Sequence, residues 1–259
     1  MPWVLFEAQM RLPVQFLIPS PSSPDLEHRL TSTDNALIAR LDSTDRTRFL
    51  DLCERVPLSR TTCLFQPGGA IDHVYFPVKG FVCLLAHESD TPELIIAMVG
   101  REGMLDPRTA LGIARTPVRA QVQSEGWAWR MPVKVFQHQL QTSVALKRLT
   151  DRYVVVVLNQ STTLALCLRF HDVGARLARW LLLSQDRTGS SHCQVTQEAL
   201  GSMLGVRRVS ITTAANVLQQ RGAISYHRGD IHILDRTILE EVACSCYRAD
   251  RESYEALLK

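Results

Sequence analysis

Residues 133–173 contain neither glycine nor proline, and this uninterrupted stretch constrains the fold more than any other feature. Its central part, residues 140–169, predicts a single helix about 45 Å long, because each helical residue rises about 1.5 Å. The apolar residues recur mostly three, four or seven positions apart, at Leu146, Leu149, Tyr153, Val157, Leu164 and Leu168. A helix with such a stripe needs a partner, and a second copy of the chain, packed as a coiled coil, is the simplest one.

The segment before this helix has the pattern of a small antiparallel β-structure. Short β-type runs alternate with turns that contain glycine and proline, and they cover residues 61–65, 74–78, 81–86, 94–99, 118–123 and 127–131. Strands at this spacing are typical of an antiparallel barrel or roll. Two short helices, 34–40 and 43–53, are predicted in front of the strands, with Ser43 as the N-cap of the second.

The first 30 residues have the composition of a tail rather than of a core, with prolines at positions 2, 13, 19, 21 and 24. They lack a basic stretch followed by a clean apolar one, so we do not expect a signal peptide. No apolar run approaches the roughly 18 residues of a membrane span, so we expect a cytoplasmic protein without a membrane partner. The seven widely spread cysteines argue against a disulfide framework, and the net charge of +3 does not by itself indicate nucleic-acid binding.

Residues 197–216 have the pattern of a helix-turn-helix. Leu200 and Leu204 lie four residues apart and would face inward from the first helix. Gly201 leaves room where the two helices approach, and Gly205 allows the left-handed conformation that ends the first helix. The buried face of the second helix would be formed by Ile211, Ala214 and Leu218.

The outer face of the second helix and a following hairpin would contact DNA. Arginine can form two hydrogen bonds to a guanine edge, asparagine can do so to adenine, and hydroxyls reach bases or phosphates. Residues 223–234 predict a hairpin, or wing, which turns at Arg228-Gly229-Asp230 and is followed by a final helix over 236–247. The candidate DNA-binding residues are Thr196, Arg207, Arg208, Val209, Ser210, Thr212, Thr213, Asn216, His227 and Arg228.

The chain resembles the Crp/Fnr family of bacterial transcription regulators over about residues 45–250. Three segments carry the resemblance, in the family's order: 62–85 (with Pro67-Gly68 and Val74-Tyr75-Phe76-Pro77-Val78-Lys79-Gly80), 136–183 (with Asp172-Val173-Gly174-Ala175-Arg176-Leu177) and 195–233. The resemblance implies an α+β fold with an antiparallel β-roll of the cyclic-nucleotide-binding type, a dimerisation helix and a C-terminal winged helix-turn-helix. The corresponding expected domains are a flexible tail (1–30), a sensor roll (31–139), the dimerisation helix (140–170) and the DNA-binding domain (171–259).

The resemblance also implies a homodimer that binds a palindromic double-stranded operator, and that contacts RNA polymerase if it activates transcription. Well-known members read bases with an arginine, a following glutamate, and an arginine four residues after that glutamate. Arg208, Val209 and Thr213 occupy these positions here, and only the first matches. DNA binding is therefore expected, with an operator sequence that differs from the usual one.

Family members that bind cyclic AMP carry a Gly-Glu-x-Gly turn, a later Arg-Ser pair, and a Thr-Ser pair on the long helix. The positions here that resemble these motifs form the candidate effector pocket, which consists of Glu102, Arg115, Thr116, Ser161 and Thr162. The order within Gly100-Arg101-Glu102-Gly103 differs, and Pro117 removes a backbone donor. Hydroxyls on a helix commonly bond the preceding turn, so we do not expect a cyclic nucleotide.

Other cofactors are not expected either. Residues 1–30 contain no cysteine, whereas the oxygen-sensing branch binds its iron–sulfur cluster through N-terminal cysteines. Haem has candidate ligands by residue type only, at His73, His87 and Cys83. Cys244-Ser245-Cys246, with or without His192-Cys193, could form a metal or redox site, but the spacing offers no fourth zinc ligand, so we expect no metal.

The sequence contains no catalytic motif and no catalytic residue is assigned, so we do not expect an enzyme. Two functions remain. The first is a sequence-specific DNA-binding regulator controlled by an unidentified signal in the roll. The second is a ligand-binding or protein-interaction module whose helix-turn-helix no longer reads DNA, and Val209 in place of glutamate leaves room for it.

Overall fold

The computed structural model of this chain describes residues 35–88 and 93–259. The predicted tail, residues 1–30, lies outside the described residues. A 3₁₀ turn (Ile38–Arg40) and α1 (Ser43–Asp51) precede the sheet. The helix is capped by Asp42, one residue earlier than expected, because the Asp42 carboxylate accepts hydrogen bonds from the backbone N–H groups of Thr44 and Asp45.

The predicted antiparallel roll is confirmed, and its central strand is β5. Its strands are β1 (Glu54–Leu58), β2 (Cys63–Phe65), β3 (His73–Ala86), β4 (Leu94–Val99) and β5 (Arg119–Pro132). β5 pairs with β1, β2 and β3, and β3 also pairs with β4. A second 3₁₀ turn, Pro107–Leu111, precedes β5. β1 was not predicted from the sequence, and the helix expected over 43–53 ends two residues early, at Asp51.

Two strand predictions were wrong in the same way. Residues 74–78 and 81–86 form one strand, β3, and residues 118–123 and 127–131 lie within another, β5. Gly80 and Gly126, taken as turns from the sequence, lie at shifts in the β3–β5 register. A Cβ at Gly126 would overlap the backbone of Lys79, so glycine lets the paired strands approach and bend without ending them.

The single long helix predicted over 140–169 is also two helices, α2 (Val133–Thr142) and α3 (Val144–Phe170). They separate at Ser143, which has extended backbone angles and whose hydroxyl accepts a hydrogen bond from the N–H of Leu146 at 3.1 Å. Serine is a good N-cap, so it can begin a new helix inside a stretch without glycine or proline.

The apolar stripe predicted on the long helix packs largely within the chain rather than on a second copy. Leu146 and Tyr153 are buried in the core of the roll, while Leu164 and Leu168 line a small cavity beside the next helix. A different face of α3 is exposed. Its large apolar side chains are Val144, Val155, Leu158, Leu166 and Phe170.

α3 is long and apolar enough, by length and composition, to cross a membrane. This differs from the expectation of no such segment, because the helix is apolar on average although the polar run 159–163 interrupts it. One such helix is weak support for a span, and the exposed apolar face of α3 equally suits protein–protein packing.

The C-terminal part contains a winged helix-turn-helix as predicted. Its elements are α4 (Val173–Thr188), β6 (His192–Gln194), α5 (Gln197–Met203), α6 (Arg208–Gln220), β7 (Ile224–His227), β8 (Asp230–Ile233), α7 (Arg236–Val242) and α8 (Cys246–Leu257). The predicted final helix over 236–247 is thus two helices. α8 packs along α3, where the Asn159 amide donates to the Ser253 hydroxyl at 3.0 Å.

Two large apolar cores hold these parts together. The first fills the roll and includes Leu146, Tyr153 and Val156 of α3. The second joins the other side of β3 and β4, at Phe81 and Met98, to α4 and the helix-turn-helix. The winged helix-turn-helix part therefore rests directly on the roll.

Candidate DNA-binding site

The turn between α5 and α6 has the geometry predicted from its glycines. Gly205 has a φ of 63°, in the left-handed region that favours glycine. A Cβ at Gly201 would lie 2.9 Å from the carbonyl oxygen of Val206, so a larger residue would force the turn to move. Leu200 and Ile211, one from each helix, are completely buried where the helices meet.

Several candidate hydroxyls already have partners within the domain. Thr196 is the N-cap of α5, and its hydroxyl accepts a hydrogen bond from the N–H of Ala199 at 3.1 Å. Thr212 donates to the Gln197 side-chain oxygen at 2.7 Å, which ties α6 to α5. The Thr213 hydroxyl donates to the carbonyl of Val209 one turn earlier, at 3.1 Å. Ser210 is half-buried, as is Thr212.

The outward face of α6 is open and basic at its beginning. Arg207, Arg208, Val209, Thr213 and Asn216 are exposed, and Val209 keeps 74% of its surface. Within residues 35–88 and 93–259, neither arginine forms an ion pair. Both charges are therefore available to an anionic partner.

The wing follows directly and is fixed to the first helix of the motif. β7 and β8 pair from Ile224 to Ile233, and Arg228 turns the hairpin with a φ of 49°. The hydroxyl of Tyr226 donates to the carbonyl of Val195 at 2.7 Å, just before α5. His227 and Arg228 are exposed at the tip of this hairpin.

Beside β8, the strand β6 adds a cluster of titratable side chains. His192 and His232 face each other in stacked rings whose centroids are 4.6 Å apart. Both contact the Asp230 carboxylate, and the hydrogen bond from His192 holds the pKa of that carboxyl below its usual value. This cluster is exposed and ties β6 to β8.

The five candidate effector residues are not gathered in one pocket. Ser161 lines a cavity of about 70 Å³ between β4, α3 and α4, and the other four do not. The hydroxyls of Ser161 and Thr162 donate to the carbonyls of Val157 and Leu158, one turn earlier, at 2.9 and 3.1 Å. Arg115 donates to the carbonyl of Gly68 at 2.6 Å.

The remaining two effector candidates are also engaged by protein groups. Thr116 is buried and accepts a hydrogen bond from Arg108 at 3.0 Å. Glu102 forms an ion pair with Arg187 of α4 at 3.0 Å. Arg187 also donates to the carbonyl of Met98 at 3.0 Å, so the turn that resembles a phosphate-binding motif holds α4 instead.

The space between the roll and α3 is filled by side chains, chiefly by Tyr153. This residue is 3% exposed, and its hydroxyl lies where a Cβ on Gly103 would be. Burial raises the pKa of Tyr153, as expected for a phenol enclosed in a core. A site for a ligand of nucleotide size commonly needs about 300 Å³ or more, so these residues do not fit a bound cyclic nucleotide.

Two family models match the chain in the order of its domains. The family described as cyclic nucleotide-binding domain matches residues 55–143, and the family described as Crp-like helix-turn-helix domain matches residues 175–242. A search of curated proteins finds no match.

Several solved structures share the fold at low identity. The c-di-GMP-responsive global regulator CLP of Xanthomonas campestris is 20% identical, with a TM-score of 0.60 over 75% of this chain and 100% of that chain. FixK2 of Bradyrhizobium japonicum is 15% identical, with a TM-score of 0.62 over 74% and 98%. A crp/fnr family regulator of Eubacterium rectale is 17% identical, with a TM-score of 0.62 over 80% and 96%.

The roll, the long helix and the winged helix-turn-helix define a DNA-binding regulator with a sensor-type N-terminal domain. With both domain families matched, this chain belongs to the Crp/Fnr family of transcription regulators, and the resemblance read from its sequence is confirmed.

Proposed function

We propose that this regulator binds a palindromic double-stranded operator as a homodimer, with α6 in the major groove and the wing along the phosphate backbone. The observation that carries the proposal is the exposed start of α6. There, Arg207 and Arg208 lie side by side without an ion-pair partner among the described residues. Charges left open on a protein surface suit a polyanion, and a helix of this geometry fits the major groove.

Each exposed group has a distinct expected role. Arg208 suits a guanine edge and Asn216 suits adenine, while Val209 can contact only an apolar group such as the thymine methyl. The hydroxyls of Thr196 and Ser210 are expected to donate to phosphates or bases, since Thr196 only accepts in its internal bond. Those of Thr212 and Thr213 already donate within the domain, so they would accept from a base amino group or exchange the internal bond for one to a phosphate. His227 and Arg228 are expected at the phosphates beside the groove.

The dimer is expected to form through the exposed face of α3. Val155, Leu158, Thr162 and Leu166 are three or four residues apart, which places them on one side of the helix. Such pairing puts two α6 helices in successive major grooves, about 34 Å apart. The proposal includes a cytoplasmic location and, if the protein activates transcription, contact with RNA polymerase.

The division into a sensor roll (31–139), a dimerisation helix (140–170) and a DNA-binding domain (171–259) is part of the proposal. Because the interior of the roll is packed, the controlling signal is expected to act without a cyclic nucleotide between the roll and α3.

The test is a selection of random DNA with the purified protein, followed by affinity measurements on the selected site at two salt concentrations. We expect a palindrome, and much weaker binding to a single half-site. Arg208→Ala should lower affinity by about 5- to 150-fold, corresponding to about 1–3 kcal/mol, and relax the preference at one base pair. Arg248→Ala is the matched control, because Arg248 is an exposed arginine on α8. It lies away from the reading face, by which we mean the exposed side of α6 with Arg207 and Arg208 at its start.

The alternative is a module that no longer reads DNA. It would be supported by the absence of any enriched sequence together with equal, weak affinity of the wild-type protein and Arg208→Ala. Salt dependence separates the two, since a protein that contacts phosphates loses affinity steeply as salt rises.

A further inference from the structure

Three cysteines and one histidine, distant in the sequence, meet at the junction between α3 and the DNA-binding domain. Cys167 lies in the last turn of α3, and His171 is the residue at which that helix ends. Cys244 lies between α7 and α8, and Cys246 is the first residue of α8. One potential ligand atom from each of the four lies within 4.8 Å of every other.

The separations inside this Cys–His cluster suit one small ion. The sulfur atoms of Cys167 and Cys244 are 3.6 Å apart, and the sulfur of Cys246 is 3.5 Å from Nδ1 of His171. Zn–S bonds of about 2.3 Å and Zn–N bonds of about 2.0–2.1 Å in a tetrahedron place sulfurs about 3.8 Å apart and sulfur about 3.6 Å from nitrogen. The observed sulfur–sulfur and sulfur–nitrogen distances are therefore close to the two edge lengths expected for such a tetrahedron.

The surroundings of the cluster are not those of idle core cysteines. Cys167, Cys244 and Cys246 are 2%, 8% and 5% exposed, but they belong to neither large apolar core. They form a small cluster of their own, with Ala175 packed against it. A cysteine that serves only as a small apolar side chain would be expected inside a core.

A positive charge lies beside the cluster. The guanidinium of Arg179 interacts electrostatically with the sulfurs of Cys167, Cys244 and Cys246. Arg179 is itself held by the Asp250 carboxylate of α8. A cation beside three sulfurs partly balances the excess negative charge that three thiolates leave around a divalent ion.

We propose that Cys167, Cys244, Cys246 and Nδ1 of His171 bind one tetrahedral divalent ion of the zinc type. The thiols lose their protons to solvent as the ion binds. This proposal replaces the sequence-based expectation of no metal. The companions considered from the sequence, His192 and Cys193, lie elsewhere on β6, where Cys193 contacts Ser184.

The position of the site gives it a mechanical consequence. It links the end of α3 to the α7–α8 junction, across the segment at His171 where α3 gives way to α4. A bound ion would fix the angle at which the DNA-binding domain leaves α3. Occupancy is thus suited to control operator affinity, a consequence that also rests on the proposed function.

The experiment measures metal content and the spectrum of the full chain, purified under reducing conditions and then loaded with Zn²⁺ or Co²⁺. We expect about one ion per chain. The Co²⁺ form should show the thiolate charge-transfer band and the intense visible bands of a tetrahedral site. Cys167→Ser and Cys244→Ser should lower affinity for the ion at least about tenfold.

Two variants serve as matched controls. Cys193→Ser changes a cysteine outside the cluster, and His192→Ala changes the exposed His192–Asp230–His232 group, the other arrangement of metal-ligating side chains in the described part of the chain. Both should retain the ion, and circular dichroism should show that all variants are folded. The proposal is overturned by wild-type protein that yields no tetrahedral Co²⁺ spectrum, by loss of the ion in His192→Ala alone, or by a Cys167–Cys244 disulfide in protein that binds no metal when reduced. None of these readouts uses DNA, so the site can fail or stand independently of the proposed function.

Discussion

The interior of the roll and the reading face of α6 use polar side chains in opposite ways. In the roll, Glu102 is paired with Arg187, and the space toward α3 is closed by Tyr153. On α6, Arg207 and Arg208 project into solvent without an ion-pair partner in the described part of the chain. The two regions belong to one family fold, but only one of them keeps its polar groups open for a partner.

This difference shows how a roll can keep its architecture while the residues that resemble a ligand site contact other protein groups. The apolar interior stabilises the roll, and the turn that resembles a phosphate-binding motif instead anchors α4 through Arg187. The roll then acts as a packed support for the DNA-binding domain. A controlling signal is expected at a junction of the domains, where the Cys–His cluster lies.

The strongest test of this comparison is Tyr153→Ala. Removing a buried aromatic ring leaves a cavity and should lower the free energy of unfolding by about 3–5 kcal/mol. Tyr153→Phe keeps the ring and should lose much less. Chemical denaturation measures both. A small loss for Tyr153→Ala would mean that the space between the roll and α3 is not packed, and a ligand pocket would have to be considered again.

The next test concerns the contact between the two regions. Arg187→Ala removes the partner of Glu102 and leaves the buried carbonyl of Met98 without its donor. We expect a loss of about 2–3 kcal/mol in stability, since a hydrogen bond to a charged group and a buried acceptor are both affected. The exposed Arg248→Ala should change stability by less than about 0.5 kcal/mol. Equal effects of the two would show that the roll and the DNA-binding domain are not coupled through Arg187.

The sequence predicted the parts of this molecule that are held by residues close together in the chain. It did not predict the parts that depend on residues far apart. The helix-turn-helix was predictable because Gly201, Gly205 and the apolar spacing act within 20 residues of one another. Gly80 and Gly126 were interpreted as turns from the sequence, but they lie at shifts in the register between two paired strands. Such a shift can be recognised only when the partner strand is known. The break at Ser143 was missed for a related reason. Serine also occurs within continuous helices, so the residue type alone does not show that a new helix begins there.

Long-range assembly was the least predictable part. The periodicity of α3 correctly indicated an apolar stripe, but it could not say that Leu146 and Tyr153 would pack on the chain's own roll. Cys167 and Cys244 are 77 positions apart, so no local spacing connects them. Only the packing of α8 along α3 brings these two residues together.

The smallest expected effect distinguishes the local geometry of the DNA-binding site from its chemistry. Gly205→Ala places a Cβ on a residue with a φ of 63°, which costs about 1–2 kcal/mol, and the nearest atom is the flexible end of Leu94 at 3.0 Å. Gly205→Asn should recover part of this cost, because asparagine tolerates the left-handed region. Thermal unfolding and operator affinity are measured on the same samples.

Arg208→Ala, Tyr153→Ala and Gly205→Ala distinguish the roll from the reading face, because each variant should change stability and DNA affinity in a different combination. Arg208→Ala should weaken DNA binding without changing stability, and Tyr153→Ala should lower stability without removing a DNA contact. Gly205→Ala should change both, since the turn it strains also sets the direction of α6. If Gly205→Ala lowered stability and left affinity and sequence preference intact, the reading face would not depend on this turn, and α6 would have to be held in place by α4 and the wing.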